Sequence, residues 1–325
     1  MVQENIDQRQ PPPGIISTIT TGFEFTTRHI WLLLIPIALD LFYWLGPRLN
    51  ITRIVAETTS YLNNEPAFAG LVEEILAIAP RINLFTNISI PIVGVPALMG
   101  GTIPEDTPIN PLNYELTGSL SWMVIFLGLT FLGVGLTTIY LGLISLSLKL
   151  ENGYEFPGMM QFAGSTLLAV FRLIGLGLAF LLTLFLVTLP LLPIAFVLGL
   201  FNSALMIGLF LITFFIVAVY MSLAIPGIIY NSRPIFKSIM ESVRLVYRNM
   251  LPTVNILLIT ILVINGTNIL WHLADNGTWF TLISIIGHAF ISTGLAAAII
   301  IFYRDRYLVF IDATSASLQE ANPNG

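Results

Sequence analysis

Three histidines, His29, His272 and His288, and eighteen Asp and Glu residues are the acid–base supply of this 325-residue chain, which contains no cysteine. Without cysteine there are no disulfides, thiolate metal sites or cysteine nucleophiles. No HExxH, GxSxG or Walker pattern occurs. A zinc site would have to gather carboxylates from distant segments. The expectation is a protein with no catalytic, cofactor-binding or metal-binding residues.

Two ionisable residues fall inside apolar runs and are expensive there. Asp40 lies about ten residues into the run Ile30–Gly46, about 15 Å deep at 1.5 Å per residue. His288 lies about nine residues from the start of the last run, about 13 Å deep by the same rise. In a hydrocarbon core about 30 Å thick the two depths match. An ionised Asp at the bilayer centre costs about 2.5–3.5 kcal/mol on the lenient insertion scale. Asp40 and His288 are therefore the candidate buried polar contact, with Ser284 and Ser292 on the same helix face as His288. The competing expectation is that the short first run slides outward and Asp40 bonds to backbone or water.

The cations have a pattern of their own. In 231–249, NSRPIFKSIMESVRLVYRN, the residues Ile235, Phe236, Ile239, Val243 and Val246 form one helical face. Arg233, Lys237, Arg244 and Arg248 line another, with Glu241 between them. Asn231 or Ser232 is the expected cap, with Pro234 in the first turn. Such a helix contacts anionic lipid headgroups, at about 1 kcal/mol per basic residue, or serves as a solvated connector. Arg172 sits where its stem can snorkel to the headgroups. Asn202, Asn255, Asn265 and Asn268 can bond between helices.

The elements that position these residues follow from composition. The chain is 56% hydrophobic and 10% charged, with a mean hydropathy of +0.88. About 25% charge is usual for soluble domains, so water is excluded as the only solvent. A net charge of −5 argues against nucleic-acid binding. The fold class expected is all-α, a polytopic membrane helix bundle of six transmembrane helices with amphipathic interfacial helices. The spans run over about 30–46, 122–148, 166–189, 194–225, 251–270 and 279–303. Pro36 can kink the first, Pro190 and Pro193 stop the third, and Pro226-Gly227 stop the fourth.

Gly128, Gly135 and Gly142 share a face in the second span, and Gly175, Ala179 and Thr183 in the third. Small residues let helices approach closely in lipid. They pack within the chain or form a homo-oligomer seam.

Three parts flank these spans. Residues 1–29 carry a surface helix with Ile15, Ile16, Ile19 and Phe23, and the leader lacks a secretory signal pattern. In the long loop 47–121, Phe68, Leu71, Val72, Ile75, Leu76 and Ala79 form one stripe. The uncharged stretch 82–100 is too rich in Pro and Gly to cross, and packs on or dips into the membrane surface. Residues 311–325 form a disordered tail. Arg9, Arg28, Lys149, Arg172, Arg233, Lys237, Arg244, Arg248, Arg304 and Arg306 fall on one side of this topology, and Arg48, Arg53 and Arg81 on the other. The positive-inside rule then places both termini in the cytoplasm of a plasma membrane.

Ser242-Val-Arg244-Leu-Val before the fifth span and Tyr303-Arg-Asp305-Arg306 after the sixth form a recognisable pair. They resemble the signatures of six-helix bacterial membrane proteins grouped with the membrane domain of glycerophosphodiester phosphodiesterases. Val243 stands where that family has an aromatic residue, and the long loop departs from its compact pattern. The resemblance implies the six-helix fold and transfers no catalytic residue, because the phosphodiesterase domain is absent. The expected function is a non-catalytic membrane module that organises or regulates protein partners or lipid. The alternative is a transporter or channel for a small or lipidic substrate, although no repeated halves are visible.

Overall fold

Apolar runs without charge leave the backbone no partner in a bilayer except itself, so they close their hydrogen bonds as helices. The computed structural model describes residues 12–60, 69–89, 94–100, 107–197, 204–271 and 277–321. Five helical stretches are long and apolar enough to cross a membrane: Ser119–Glu151, Met159–Ile194, Leu205–Tyr230, Met250–Trp271 and Thr281–Ile311. Ile15–Arg28 and Ile30–Leu45, bent by 91° at their junction, make a sixth if counted as one broken span. The protein is all-α and multi-pass. Its only strands among the described residues are two of three residues each, β1 (Arg48–Asn50) and β2 (Asn113–Glu115).

The chain divides into two compact units. One comprises Thr26–Asn152 and Ile261–Gly294. Helix α1 (Ile15–Arg28) ends here, and after a 3-10 turn over Ile30–Leu33 comes α2 (Leu34–Leu45). The Arg28 guanidinium donates to both carboxylate oxygens of Glu151, at 2.9 and 3.2 Å. Nδ1 of His29 lies 3.6 Å from the same carboxylate. This half-exposed pair adds at most about 1 kcal/mol. It does put the helix break beside the last turn of α5 (Ser119–Glu151).

The long loop is ordered structure in its described parts. It carries α3 (Thr52–Ser60), α4 (Ala69–Ile78) and 3-10 turns at Ala79–Arg81 and Leu84–Ile88. The strands pair in parallel, Arg48 opposite Asn113 and Asn50 opposite Glu115. Of the expected stripe, Val72 on α4 and Ala79 in the following 3-10 turn are buried, while Leu71 stays exposed; Phe68 lies outside the described residues. Asn83 is buried, and its Oδ1 accepts from the amides of Leu49 and Phe85 at 3.0 and 3.2 Å.

Among the described residues of 82–100 there is no crossing helix. The segment lies along α5 instead. Asn87 Nδ2 donates to Thr130 Oγ1 at 2.6 Å and to the Phe126 carbonyl at 3.2 Å. The contact reaches about 6–12 Å into the apolar run that opens at Trp122. Tyr140 of α5 donates to Thr293 at 2.8 Å in the buried interior.

The other unit comprises the residues up to Phe25, Gly153–Thr260 and those from Leu295. It contains α6 (Met159–Thr188), α7 (Leu191–Val197), α8 (Ala204–Met221), α9 (Ala224–Tyr230) and α10 (Ile235–Arg248). Parts of α11 (Met250–Trp271) and α12 (Thr281–Ala321) complete it. Phe180 and Phe214 meet edge to face, centroids 5.5 Å apart, between α6 and α8. On α1 the buried positions here are Thr18, Gly22 and Phe25, and Ile16 of the expected apolar face is 79% exposed.

Three expectations are corrected. Pro36 and Pro226 neither kink nor stop their helices, and of the pair expected to end the third span Pro190 follows the end of α6 at Thr188 while Pro193 falls inside α7; Pro36, Pro193 and Pro226 are the third residues of α2, α7 and α9, as Pro252 is of α11. The first amides of a helix have no partner within it, so proline costs nothing there. The helix breaks therefore fall just before these prolines, and α9 runs through Pro226-Gly227 to Tyr230. The second correction is at the C-terminus: α12 continues to Ala321 through the expected tail. No glycine or proline interrupts residues 295–322, which leaves nothing to end the helix. The third is the cap of α10, which is Pro234, while Ser232 takes a left-handed φ of 52°.

Candidate functional site

Helix α10 presents two faces, rotated from those expected. Its buried side is Ser238, Glu241, Ser242, Leu245 and Val246. The two serines on this side bond backbone carbonyls on either side of the break between α8 and α9. Ser238 Oγ donates to the Ala224 carbonyl at 2.8 Å, and Ser242 Oγ to that of Tyr220 at 2.7 Å. Gly227 of α9 admits this approach, since a Cβ there would overlap Ser238 Oγ. Phe236, Met240, Val243 and Tyr247 then form a free stripe, 75%, 39%, 39% and 77% exposed. Lys237, Arg244 and Arg248 are exposed along it. Met240 and Tyr247 were not singled out in the sequence; their spacing of four, three and four with Phe236 and Val243 is the signal that marks them.

Arg233 serves a different purpose from the other three cations. Its Nη2 donates to the Tyr307 hydroxyl, and its Nε lies 3.6 Å from Glu241, which is nearly buried. The pKa of Arg233 is raised above its ordinary value, first by the Tyr307 hydroxyl; desolvation opposes this and Glu241 adds to it. Asn231 Nδ2 donates to the Tyr303 hydroxyl at 2.9 Å, and Tyr303 stacks on Tyr307 with centroids 5.4 Å apart. Arg248 lies over the Phe310 ring at 5.1 Å. Tyr303, Tyr307 and Phe310 occupy one face of α12 and hold α10 by both ends. Arg172 braces the turn before α10: its Nη1 donates to the Ser232 carbonyl at 2.7 Å.

The other sequence candidates are placed as follows. Asp40 is fully buried, and its Oδ1 accepts from the Met99 amide at 2.8 Å. Its Oδ2 has no hydrogen-bond partner among the described residues. The carboxyl thus holds the loop segment around Leu98 and Met99, both buried, and bonds to backbone, not to His288. His288 is itself buried with Ser284 and Ser292, and Ser292 Oγ donates to the His288 carbonyl at 2.6 Å.

Of the small residues, Gly128 and Gly135 face open space and Gly142 is half-buried. The close approach on α5 is instead at Gly133, where a Cβ would sit 2.5 Å from the Ile88 carbonyl oxygen. Gly175 packs under Ile235 of α10, and Ala179 beside it is half-buried. Asn265 bonds within its own helix, to the Ile261 carbonyl at 2.8 Å, and Asn255 is exposed. Asn268 Oδ1 has no hydrogen-bond partner among the described residues, and Asn202 and His272 lie outside them. Among the described residues no group of three His, Asp or Glu side chains could hold a metal ion. No family model, curated protein or solved structure matches the chain.

Proposed function

We propose that this multi-pass protein is a non-catalytic module of the bacterial cytoplasmic membrane that engages anionic lipid headgroups through α10. Both termini and α10 face the cytoplasm in this reading, and residues 47–121 face outward. One observation carries it: the stripe Phe236, Met240, Val243 and Tyr247 stays exposed while flanked by Lys237, Arg244 and Arg248. An apolar stripe with a basic border suits a helix lying in an anionic interface. The resemblance to membrane domains of glycerophosphodiester phosphodiesterases favours the same setting, without their chemistry.

The test compares the wild type with a Lys237→Gln/Arg244→Gln/Arg248→Gln variant in nanodiscs. Phosphatidylglycerol should stabilise the wild type over phosphatidylcholine by about 1 kcal/mol per charge removed in the variant. High salt should erase the difference. Equal stabilisation of wild type and variant would reject the lipid contact.

The orientation is tested separately, since the absence of native cysteine allows single-cysteine labelling. In intact cells a membrane-impermeant maleimide should label cysteines at Glu73 and Tyr114, and spare those at Glu155 and Lys237 until the membrane is opened. Labelling of Lys237→Cys in sealed cells would invert the topology.

A further inference from the structure

Arg306 is the most enclosed Lys or Arg side chain among the described residues, 5% exposed on α12. Its Nε and Nη1 are both buried and have no hydrogen-bond partner among those residues. The acid beside it is engaged elsewhere: Asp305 is held by Arg304, with Nε and Nη2 each 2.8 Å from Oδ1. What Arg306 does have is an aromatic floor: its Cζ lies 3.5 Å from the centroid of the Phe302 ring. A cation–π contact offsets part of the lost hydration but fills no N–H. A buried guanidinium with open donors is unfavourable unless an acceptor completes it.

The position says which acceptor fits. Arg306 shares the α12 face of Tyr303, Tyr307 and Phe310, to which Asn231, Arg233 and Arg248 reach. It lies three residues beyond 303, where the last apolar run ends, about 5 Å along the helix. That is headgroup depth. Two oxygens of one phosphate are taken in paired hydrogen bonds by the Nε–Nη2 edge of a guanidinium, and Nη1, on the other side, can take a further acceptor. We propose that Arg306 is the cation of a phosphate-binding site at the basic end of α12, filled by a lipid phosphodiester or by free phosphate. The long stem lets the guanidinium turn toward the headgroup layer to meet it. This deepens the proposed lipid contact, but rests on a different residue and fails separately.

The test uses the full-length protein in detergent with three soluble probes: dihexanoyl phosphatidylglycerol, inorganic phosphate and dihexanoylglycerol. Phosphatidylglycerol, or phosphate alone, should raise the thermal midpoint in a saturable way, and the phosphate-free diglyceride should not. A response to phosphatidylglycerol only identifies a lipid headgroup; a response to inorganic phosphate identifies the free anion. Arg306→Gln should weaken the responding probe at least about tenfold. Lys237→Gln/Arg244→Gln should stay within about twofold, which separates this site from the α10 surface. If Arg306→Gln does not fold, Arg306→Lys carries the test: it keeps the charge, loses the paired edge, and should bind about fivefold more weakly. No response of the wild type to either phosphate probe, or unchanged binding by the folded variant, would overturn the proposal.

Discussion

Gly133→Val should lower the stability of the detergent-solubilised protein by about 2–3 kcal/mol, because overpacking forces backbone to move. A Cβ there meets the Ile88 carbonyl oxygen at 2.5 Å and the Ile88 carbonyl carbon at 3.0 Å. These are main-chain atoms of a segment held by Asn87 to Thr130 and Phe126, so no side chain can rotate away. Gly128→Ala and Gly135→Ala, on the same helix but facing open space, should change stability by less than about 0.5 kcal/mol. Reversible unfolding in mixed micelles, followed by near-ultraviolet dichroism, measures all three. Equal costs at 128 and 133 would mean that the loop does not lie against α5.

Asp40→Ala should cost about 2–4 kcal/mol. It removes the acceptor of the Met99 amide and leaves that amide buried and unpaired. Amide hydrogen exchange at Leu98 and Met99 should accelerate before global unfolding does. Because Asp40 bonds to the loop and not to His288, Asp40→Asn and His288→Gln should add to within about 0.5 kcal/mol. A coupling above about 1 kcal/mol would restore the direct pair as the reason for their matched depths.

The spans were legible because charge-free runs of this length leave few alternatives. Their ends were less so, and the prolines show why. Pro226-Gly227 reads as a stop, yet Pro226, like Pro36, Pro193 and Pro252, sits in the first turn of the helix that follows. The penalty for proline lies in helix interiors, so the residue alone does not say on which side the break falls.

The basic helix was legible in extent but misread in rotation. Counting apolar residues favours Ile235, Val243 and Val246 as one face, whereas Ser238 and Ser242 turn inward to bond carbonyls of α8 and α9. Arg233 lines up in sequence with the lipid-facing cations, and its tyrosine partner lies 74 residues away. Asp40 illustrates the same limit, since Met99 is 59 residues distant and donates a backbone amide, which no side-chain pattern announces.

The lipid contact of α10 is tested most directly by depth. Single cysteines replacing Phe236, Met240, Val243 and Tyr247, each carrying a nitroxide, report collision with oxygen and with a water-soluble nickel chelate in nanodiscs. In phosphatidylglycerol all four should favour oxygen, with labels at Ser238 and Ser242 shielded from both reagents, and high salt should shift the four toward the chelate. Equal access of the chelate to all four positions in phosphatidylglycerol and phosphatidylcholine, with no effect of salt, would contradict the account.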